Sequence, residues 1–415
     1  MNTYSSYKDS GVDWIGNIPS DWEVVRNKYL FDVTKNVVGE ESDKYQLLSL
    51  TKRGVVLRDI ESGKGKFPES FDTYQTVDKG DLIFCLYDID ETPRTIGISN
   101  YSGMITGSYK VVKCNTLTDP KFIYYNYLSI DDVKGLRPYY TGLRKVVRTE
   151  TFLNLNVRVP SLQEQQQISD YLDYKTLKID KLIEKTEQKI ELLKEQRTSL
   201  INTTVTKGLD PNVEMKDSGV EWIGDVPVGW DIKPMYTRYS QNKTKNDNST
   251  STILSLSYGR LIKRNMETNF GLLPDNFDSY QLLETGFIIL RMTDLQNDHK
   301  SLRVGICEFQ GIITSAYIGL KPLTNVCSKY FFYYLYMCDL KKVFYGLGGG
   351  LRQSVSYNDF KRFPLSIPPL QEQQQIVDYI NKKTSKIDKL VDIESKRIDL
   401  LKEYRQSLIS EVVTG

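Results

Sequence analysis

The chain is written twice. Lys8-Asp-Ser-Gly-Val-Asp-Trp-Ile-Gly16 returns as Lys216-Asp-Ser-Gly-Val-Glu-Trp-Ile-Gly224, and Leu162-Gln-Glu-Gln-Gln-Gln-Ile168 returns unchanged as Leu370-Gln-Glu-Gln-Gln-Gln-Ile376. Both pairs are offset by 208 residues, half of a 415-residue chain. Two long copies exclude a solenoid of short units and call for two like halves. Fainter anchors lie between: Leu48-Ser-Leu50 with Leu254-Ser-Leu256, Phe71-Asp-Thr-Tyr-Gln75 with Phe277-Asp-Ser-Tyr-Gln281, and Gly142-Leu-Arg144 with Gly350-Leu-Arg352. From Leu162 to Thr206, 27 of 45 positions equal their partners in Leu370–Thr414, whereas 25–155 and 230–362 keep only scattered matches. One scaffold carrying two different readers has this pattern.

The alike segments read as long helices. Ile168, Leu172, Ile179, Leu182, Ile190, Leu193 and Leu200 recur at spacings of three, four or their sums, as do Ile376, Ile380, Ile387, Leu390, Ile398, Leu401 and Leu408. Ser161 with Glu164 forms a capping-box start, Pro160 a preceding stop, and Pro368-Pro369 an acceptable entry to the second. At 1.5 Å per residue each helix would be roughly 65 Å long. So narrow an apolar stripe wants a partner helix: the other copy, or alternatively the helix's own domain.

The divergent segments are mixed. Val55–Leu57, Asp81–Leu86, Ser108–Val112 and Asn156–Val159 read as short strands, and Lys121–Leu128 and Lys329–Tyr336 as helices with aromatic faces. The fold class expected is α+β: two tandem pseudo-symmetric halves, each a globular α/β domain followed by a long helix. The boundaries read as 1–19 (opening segment), 20–155 (first domain), 160–207 (first helix), 208–227 (linker and repeat of the opening), 228–362 (second domain) and 368–415 (second helix). The opening segment is expected to pack near the C-terminal end.

Catalytic signatures are scarce. There is no Walker A loop; Gly63-Lys-Gly-Lys66 is a basic loop, and Gly346-Leu-Gly-Gly-Gly350 lacks the dinucleotide-binding register. Glu214-Met-Lys216 is half a nuclease signature without an upstream carboxylate, and the aromatic Pro-Pro element of adenine methyltransferases is missing. The single histidine, His299, excludes histidine-built zinc sites. Five cysteines without a CxxC pair fit a reducing compartment, and no apolar run is long enough to span a membrane. The chain reads as a binder.

Its 55 basic and 53 acidic residues leave +2, so a nucleic-acid partner would need basic surface segregated from acidic. Two basic, aromatic, glycine-bearing stretches recur in both halves. One pair is Lys134–Arg148, which contains no carboxylate, with Lys341–Arg352; the other is Thr51–Arg58 with Ser257–Arg264. Glycines let backbone approach phosphate, and an arginine fork matches guanine. The candidate contacts are Lys52, Arg53, Arg58, Arg137, Tyr139, Tyr140, Arg144, Lys145 and Arg148, and in the second half Tyr258, Arg260, Lys263, Arg264, Lys341, Lys342, Tyr345 and Arg352. Tyr87, Asp88 and Arg94, with Thr293, Asp294 and Arg303, join them because each set follows an expected strand and precedes an aligned glycine, Gly97 or Gly305. Each basic loop could also be a solvated turn, and the second set ordinary strand-end residues.

Gly11-Val-Asp-Trp-Ile-Gly-Asn-Ile-Pro-Ser-Asp-Trp22 and its copy Gly219–Trp230, the two Leu-Gln-Glu-Gln-Gln-Gln-Ile runs, and Lys-Ile-Asp-Lys-Leu at 178–182 and 386–390 resemble the specificity subunit of type I restriction–modification enzymes. The resemblance covers essentially the whole chain. It implies a non-catalytic subunit in which each variable domain reads half of a split duplex DNA site. The helices would pair as an antiparallel coiled coil that sets the half-site spacing and docks two modification subunits. The resemblance also implies no cofactor on this chain, S-adenosylmethionine on the modification subunits, ATP and Mg on restriction/translocase subunits, and a cytoplasmic bacterial or archaeal setting. That family leads one to expect a short tail beyond Gly415. A related bipartite system without a motor, and a coiled-coil scaffold with protein-binding domains, are the other readings.

Overall fold

The computed structural model describes residues 4–12, 14–59, 68–264, 276–298, 302–347 and 354–415. It contains two compact units, Met1–Glu187 with Ser395–Gly415, and Gln188–Glu394. The division falls inside both long helices, Leu162–Lys207 and Leu370–Thr414. Each unit therefore takes the start of one helix and the end of the other.

In the first unit an antiparallel sheet runs Phe31–Thr34, Lys110–Cys114, Leu82–Phe84, Ile96–Ile98. The third expected strand begins two residues late because Tyr109 N–H closes a turn onto the Thr106 carbonyl, 3.2 Å. The second unit has the same strand order in Tyr239–Gln241, Ile318–Pro322, Ile288–Leu290, Val304–Ile306. A hairpin lies over each sheet, Leu48–Thr51 with Gly54–Leu57 and Leu254–Ser257 with Arg260–Lys263. The approach is so close that a Cβ on Gly97 would meet the Leu50 methyl at 2.6 Å, and one on Gly305 the Leu256 methyl at 2.6 Å. That is why the two aligned glycines recur.

Other repeated anchors are packing devices too. Phe71 and Tyr74 meet edge to face at 5.0 Å, as do Phe277 and Tyr280. The buried Gln75 amide donates to the Thr106 and Tyr109 carbonyls, and Gln281 to those of Thr314 and Tyr317.

The helix Pro120–Asp132 starts at Asp119, whose carboxylate accepts from Phe122 N–H at 2.7 Å, with proline in the first turn. It packs on Trp22 and Phe152; the matching helix Ser328–Leu340 packs on Trp230 and Phe360. Each buried tryptophan donates its indole N–H to a long helix: Trp22 to Glu164 at 3.2 Å and Trp230 to Glu372 at 3.0 Å. The next glutamine closes the joint. Gln165 Nε2 donates to the Pro160 carbonyl at 2.9 Å while its oxygen accepts Asp119 N–H at 2.9 Å. Gln373 does the same with Pro368, 2.9 Å, and Cys327, 3.2 Å. The opening segment sits beside this joint in the first unit: Tyr4 Oη donates to Glu164 at 2.6 Å and Tyr7 Oη to the Gly415 carbonyl at 3.4 Å.

Burial along the helices follows a three-four alternation. In the first it runs Leu172, Thr176, Ile179, Ile183, Thr186, Ile190; in the second Ile380, Thr384, Ile387, Val391, Glu394, Ile398. Leu390 is 44% exposed and lies off this stripe, as does the half-buried Leu182, its copy; the neighbours Val391 and Ile183 occupy the inward positions. Polar seam residues hide that register from an apolar count. Ile168, Leu172, Ile179 and Ile190 are buried, as are Ile376, Ile380, Ile387, Ile398 and Leu408, whereas Leu193, Leu200 and Leu401 are half-buried. The buried Thr176 and Thr186 hydroxyls satisfy themselves on carbonyls one turn back, each at 2.7 Å. In the first unit Arg405 donates to Asp180 at 2.9 Å; in the second Arg197 donates to Asp388 at 2.9 Å and Lys189 pairs with Glu394. No helix among the described residues is long and apolar enough to cross a membrane, and all five cysteines are free.

Replacing Glu164 by Ala should strand the Trp22 N–H and cost the first unit about 1–3 kcal/mol. Hydrogen exchange should rise around Trp22 and Phe122, while Glu372→Ala should raise it around Trp230 instead. Glutamine at either position keeps an acceptor and should lose less.

Candidate nucleic-acid interface

In the first unit the basic segment 134–148 is laid across the end of the central strand. Val147 N–H donates to the Leu86 carbonyl at 2.8 Å, and Asp88 N–H to the Arg144 carbonyl at 2.9 Å. Asp88 takes a left-handed backbone, φ 48°. The segment folds back on itself as Thr141 and Val146 exchange both backbone bonds, at 2.9 and 3.1 Å.

This surface is not acid-free in space. Arg137 Nε donates to Asp90 at 2.6 Å, Lys145 to Asp90 at 2.9 Å and Glu91 at 2.6 Å, and Arg144 to Asp88 at 3.4 Å. Lys145 and then Arg137 hold the Asp90 carboxyl down at about 2. The carboxylate thus stays charged, and its contribution to the loop is present above the ordinary carboxylate value and lost as pH falls through about 2. Three cations, Arg137, Arg144 and Lys145, pair with the three carboxylates Asp88, Asp90 and Glu91. Asp90 and Glu91 escape a reading of the basic stretch alone, although only Ile89 separates them from Asp88.

The aromatic candidates serve the scaffold as much as the surface. Tyr139 and Tyr140 pack on the first unit's core. Tyr87 stacks on Tyr109 at 5.9 Å and lies beneath the Arg144 guanidinium at 5.7 Å. Arg94 turns away to Asp132 at 3.1 Å and Asp131 at 3.5 Å. Lys52 and Arg53 are exposed at their hairpin turn, and Arg148 is exposed too. Arg58 N–H ties to the Leu47 carbonyl at 2.9 Å.

The second unit repeats the geometry with different contents. Val355 N–H donates to the Met292 carbonyl at 3.0 Å, matching Val147 and Leu86. Asp294 is again left-handed, φ 57°, and its carboxylate accepts from Asn297 at 2.8 Å. Tyr258 is 89% exposed at the hairpin turn, followed by Gly259. Arg260 and Lys263 are exposed, and Arg264 N–H bonds to the Ile253 carbonyl at 2.8 Å. Tyr258 and Arg260 border a cleft of about 830 Å³ shared with Phe332, Tyr336 and the Arg197–Asp388 pair. Lys341 and Lys342 are exposed, the latter 4.8 Å above the Tyr345 ring. Arg352 and His299 lie outside the described residues.

Arg303 is corrected: it does not face a ligand. Its side chain is wholly buried, and its guanidinium donates to Tyr345 Oη and to the carbonyls of Arg291, Thr293, Asp294 and Asp298. Tyr345 is consumed by the same knot, donating its hydroxyl to the Asp298 carbonyl at 2.9 Å. The two glycines give the register: Arg303 stands at the place of Thr95, not Arg94. Both backbone N–H groups bond the helix-end aspartate, Thr95 to Asp131 at 3.0 Å and Arg303 to Asp339 at 2.6 Å. Among the described residues no cluster could hold a metal ion.

Arg303→Ala should therefore act on stability, lowering that of the second unit by about 2–3 kcal/mol through stranded carbonyls. Arg144→Ala should lower the melting temperature by at most about 2–4 °C, since surface pairs are worth at most about 1 kcal/mol. Calorimetry on the two variants separates a fold residue from a surface one.

The chain matches the family model described as the type I restriction modification DNA specificity domain over residues 19–192 and 303–403. It is similar to the putative type I restriction enzyme MjaX specificity subunit of Methanocaldococcus jannaschii, 21% identical over 97% of this chain and 95% of that protein. The MjaVIII specificity subunit of the same organism is 23% identical over 96% of this chain and 93% of its own length. Among solved structures, a chain from a study of complex assembly and conformational transition of the type I R-M system superposes with a TM-score of 0.70 at 12% identity, over 95% of this chain and 98% of that one. The HsdS subunit from Thermoanaerobacter tengcongensis superposes with a TM-score of 0.53 at 13% identity, over 96% and 98%. At these identities the two structures speak for the fold.

Proposed function

The chain belongs to the type I restriction–modification DNA-specificity family, and we propose that it reads a split duplex site, one half with each recognition domain. The observation that carries this reading is the matched presentation of the loops after the strands Leu82–Phe84 and Ile288–Leu290. Each is covered by a later segment through one equivalent backbone bond, Val147 to Leu86 and Val355 to Met292. A common frame with different side chains is what two readers of different sequences require. The long helices act as an antiparallel coiled coil that fixes the half-site spacing and docks two modification subunits. The heptad-like burial and the equivalent pairs Asp180–Arg405 and Asp388–Arg197 support that role. The modification subunits supply S-adenosylmethionine chemistry on adenine, and restriction subunits supply ATP- and Mg-dependent translocation and cleavage. This chain carries the address alone and works in the cytoplasm.

Genome-wide mapping of methylated adenines in cells expressing the chain with its modification subunit tests the reading. A split motif is expected, and replacing residues 20–155 by another recognition domain should change only one half of it. No new methylation with an active modification subunit would overturn the role.

At the level of single residues, Arg144→Ala should weaken discrimination at the first half-site alone and Arg260→Ala at the second alone, each by about 1–3 kcal/mol. Affinity should fall steeply with salt in the parent protein. Uniform weakening on all duplexes would instead make these arginines phosphate contacts.

A further inference from the structure

Base reading by arginine leaves one part of the repeated Gly-Leu-Arg anchor unused: its leucine. Leu143 is wholly exposed, at 102% of its reference area. Single exposed apolar residues are ordinary on protein surfaces, so exposure alone says little. The mounting of this one is different. Lys145 N–H closes onto the Gly142 carbonyl at 3.1 Å, so Leu143 and Arg144 form the tip of a turn that Thr141 and Val146 zip shut. Gly142, φ 74°, and Lys145, φ 44°, supply the left-handed backbone that aims the tip outward. Such positions favour Asn, Asp, Gly or Ser, which interact with water far better than leucine does.

The tip is also stapled from below. The Arg144 carbonyl is held by Asp88 N–H at 2.9 Å, and the Lys145 ammonium by Asp90 and Glu91. The Arg144 side chain, its guanidinium over Tyr87, is 75% exposed and adjoins the leucine in sequence. An apolar side chain on a rigid turn, beside an arginine whose side chain is largely exposed, has the form of an intercalating wedge. We infer that Leu143 inserts between neighbouring base pairs of the first half-site and unstacks that step, so that the arginine beside it reads an opened base edge. A protein-docking patch would instead present contiguous apolar area, whereas the sequence neighbours Arg144 and Lys145 are charged. The inference rests on the DNA-reading role proposed above. Leu351, its copy, lies outside the described residues.

The test uses the full chain in complex with its modification subunits, on duplexes carrying the mapped site. 2-Aminopurine is placed in turn at each position of the first half-site except the methylated adenine. Fluorescence should rise at one step with the parent protein and with Leu143→Phe, and not with Leu143→Ser. The serine variant should lose about tenfold in affinity for the site. Its melting temperature and its weak binding to unrelated duplex should stay unchanged. Specific binding without brightening at any position, or brightening retained by Leu143→Ser, overturns the wedge and leaves the reading role standing. If Leu143→Ser lost modification subunits while every step stayed stacked, the side chain would be a protein contact and the wedge would fall. Absence of salt-dependent duplex binding by the parent complex would remove the reading role itself, and the wedge with it.

Discussion

The indole-to-carboxylate bond at the base of each recognition domain is the constraint on which the rest turns. Trp22 and Trp230 are the largest fully buried side chains, and each carries one N–H that must be satisfied. Glu164 and Glu372 satisfy it from the first turn of a long helix, while Gln165 and Gln373 bond backward to the entry proline and across to the start of the domain's aromatic helix. Moving either helix by one residue would leave an indole, a carboxylate and an amide unmatched together. The direction in which each domain presents its loops is therefore set by a polar joint inside an apolar core. This gives physical content to the two motifs that recur most faithfully: they touch each other.

Each long helix carries both buried apolar residues and charged residues in ion pairs. Ile179, Ile190, Ile387 and Ile398 are buried and remove apolar area from water. The Asp180–Arg405 and Asp388–Arg197 pairs, half-exposed on at least one side, contribute at most about 1 kcal/mol each. Their value is positional, because a slip along the stripe separates both charges. Glu394 is different: its side chain is only 7% exposed and pairs with Lys189, where the first copy carries Thr186. Removing that lysine would take one ion-pair partner from a carboxylate that is largely out of water, which costs more than losing a surface pair.

Much of this was legible in the sequence, and the misses have identifiable causes. Duplication, the long helices and the aromatic helices were all announced by periodicity or repetition. Leu390, read as part of the apolar stripe, is exposed, while Thr176, Thr186, Thr384 and Glu394 are buried at positions that an apolar count skips. Arg303 was misread because a sequence shows an arginine after a strand but not the five acceptors that surround it. The basic stretch seemed free of acid because Asp88, Asp90 and Glu91 reach it from a different loop. Periodic signals survive in one dimension; partnerships between loops do not.

Those loop partnerships bear on how a nearly neutral chain can grip a polyanion. With Arg137, Arg144 and Lys145 each already bonded to a carboxylate, a phosphate gains little by merely approaching, since it must displace a partner that is already well placed. Non-specific attraction is lowered by the same pairs that order the cations. Ordered cations lose less rotamer freedom when they finally dock, so the cost of binding falls most where the groove matches their fixed geometry. A site with the right shape can exchange several ion pairs at once, whereas a wrong one exchanges them singly. On the proposed reading, charge compensation within the loop raises the ratio of specific to non-specific binding, the quantity on which a protein searching among many competing sites depends.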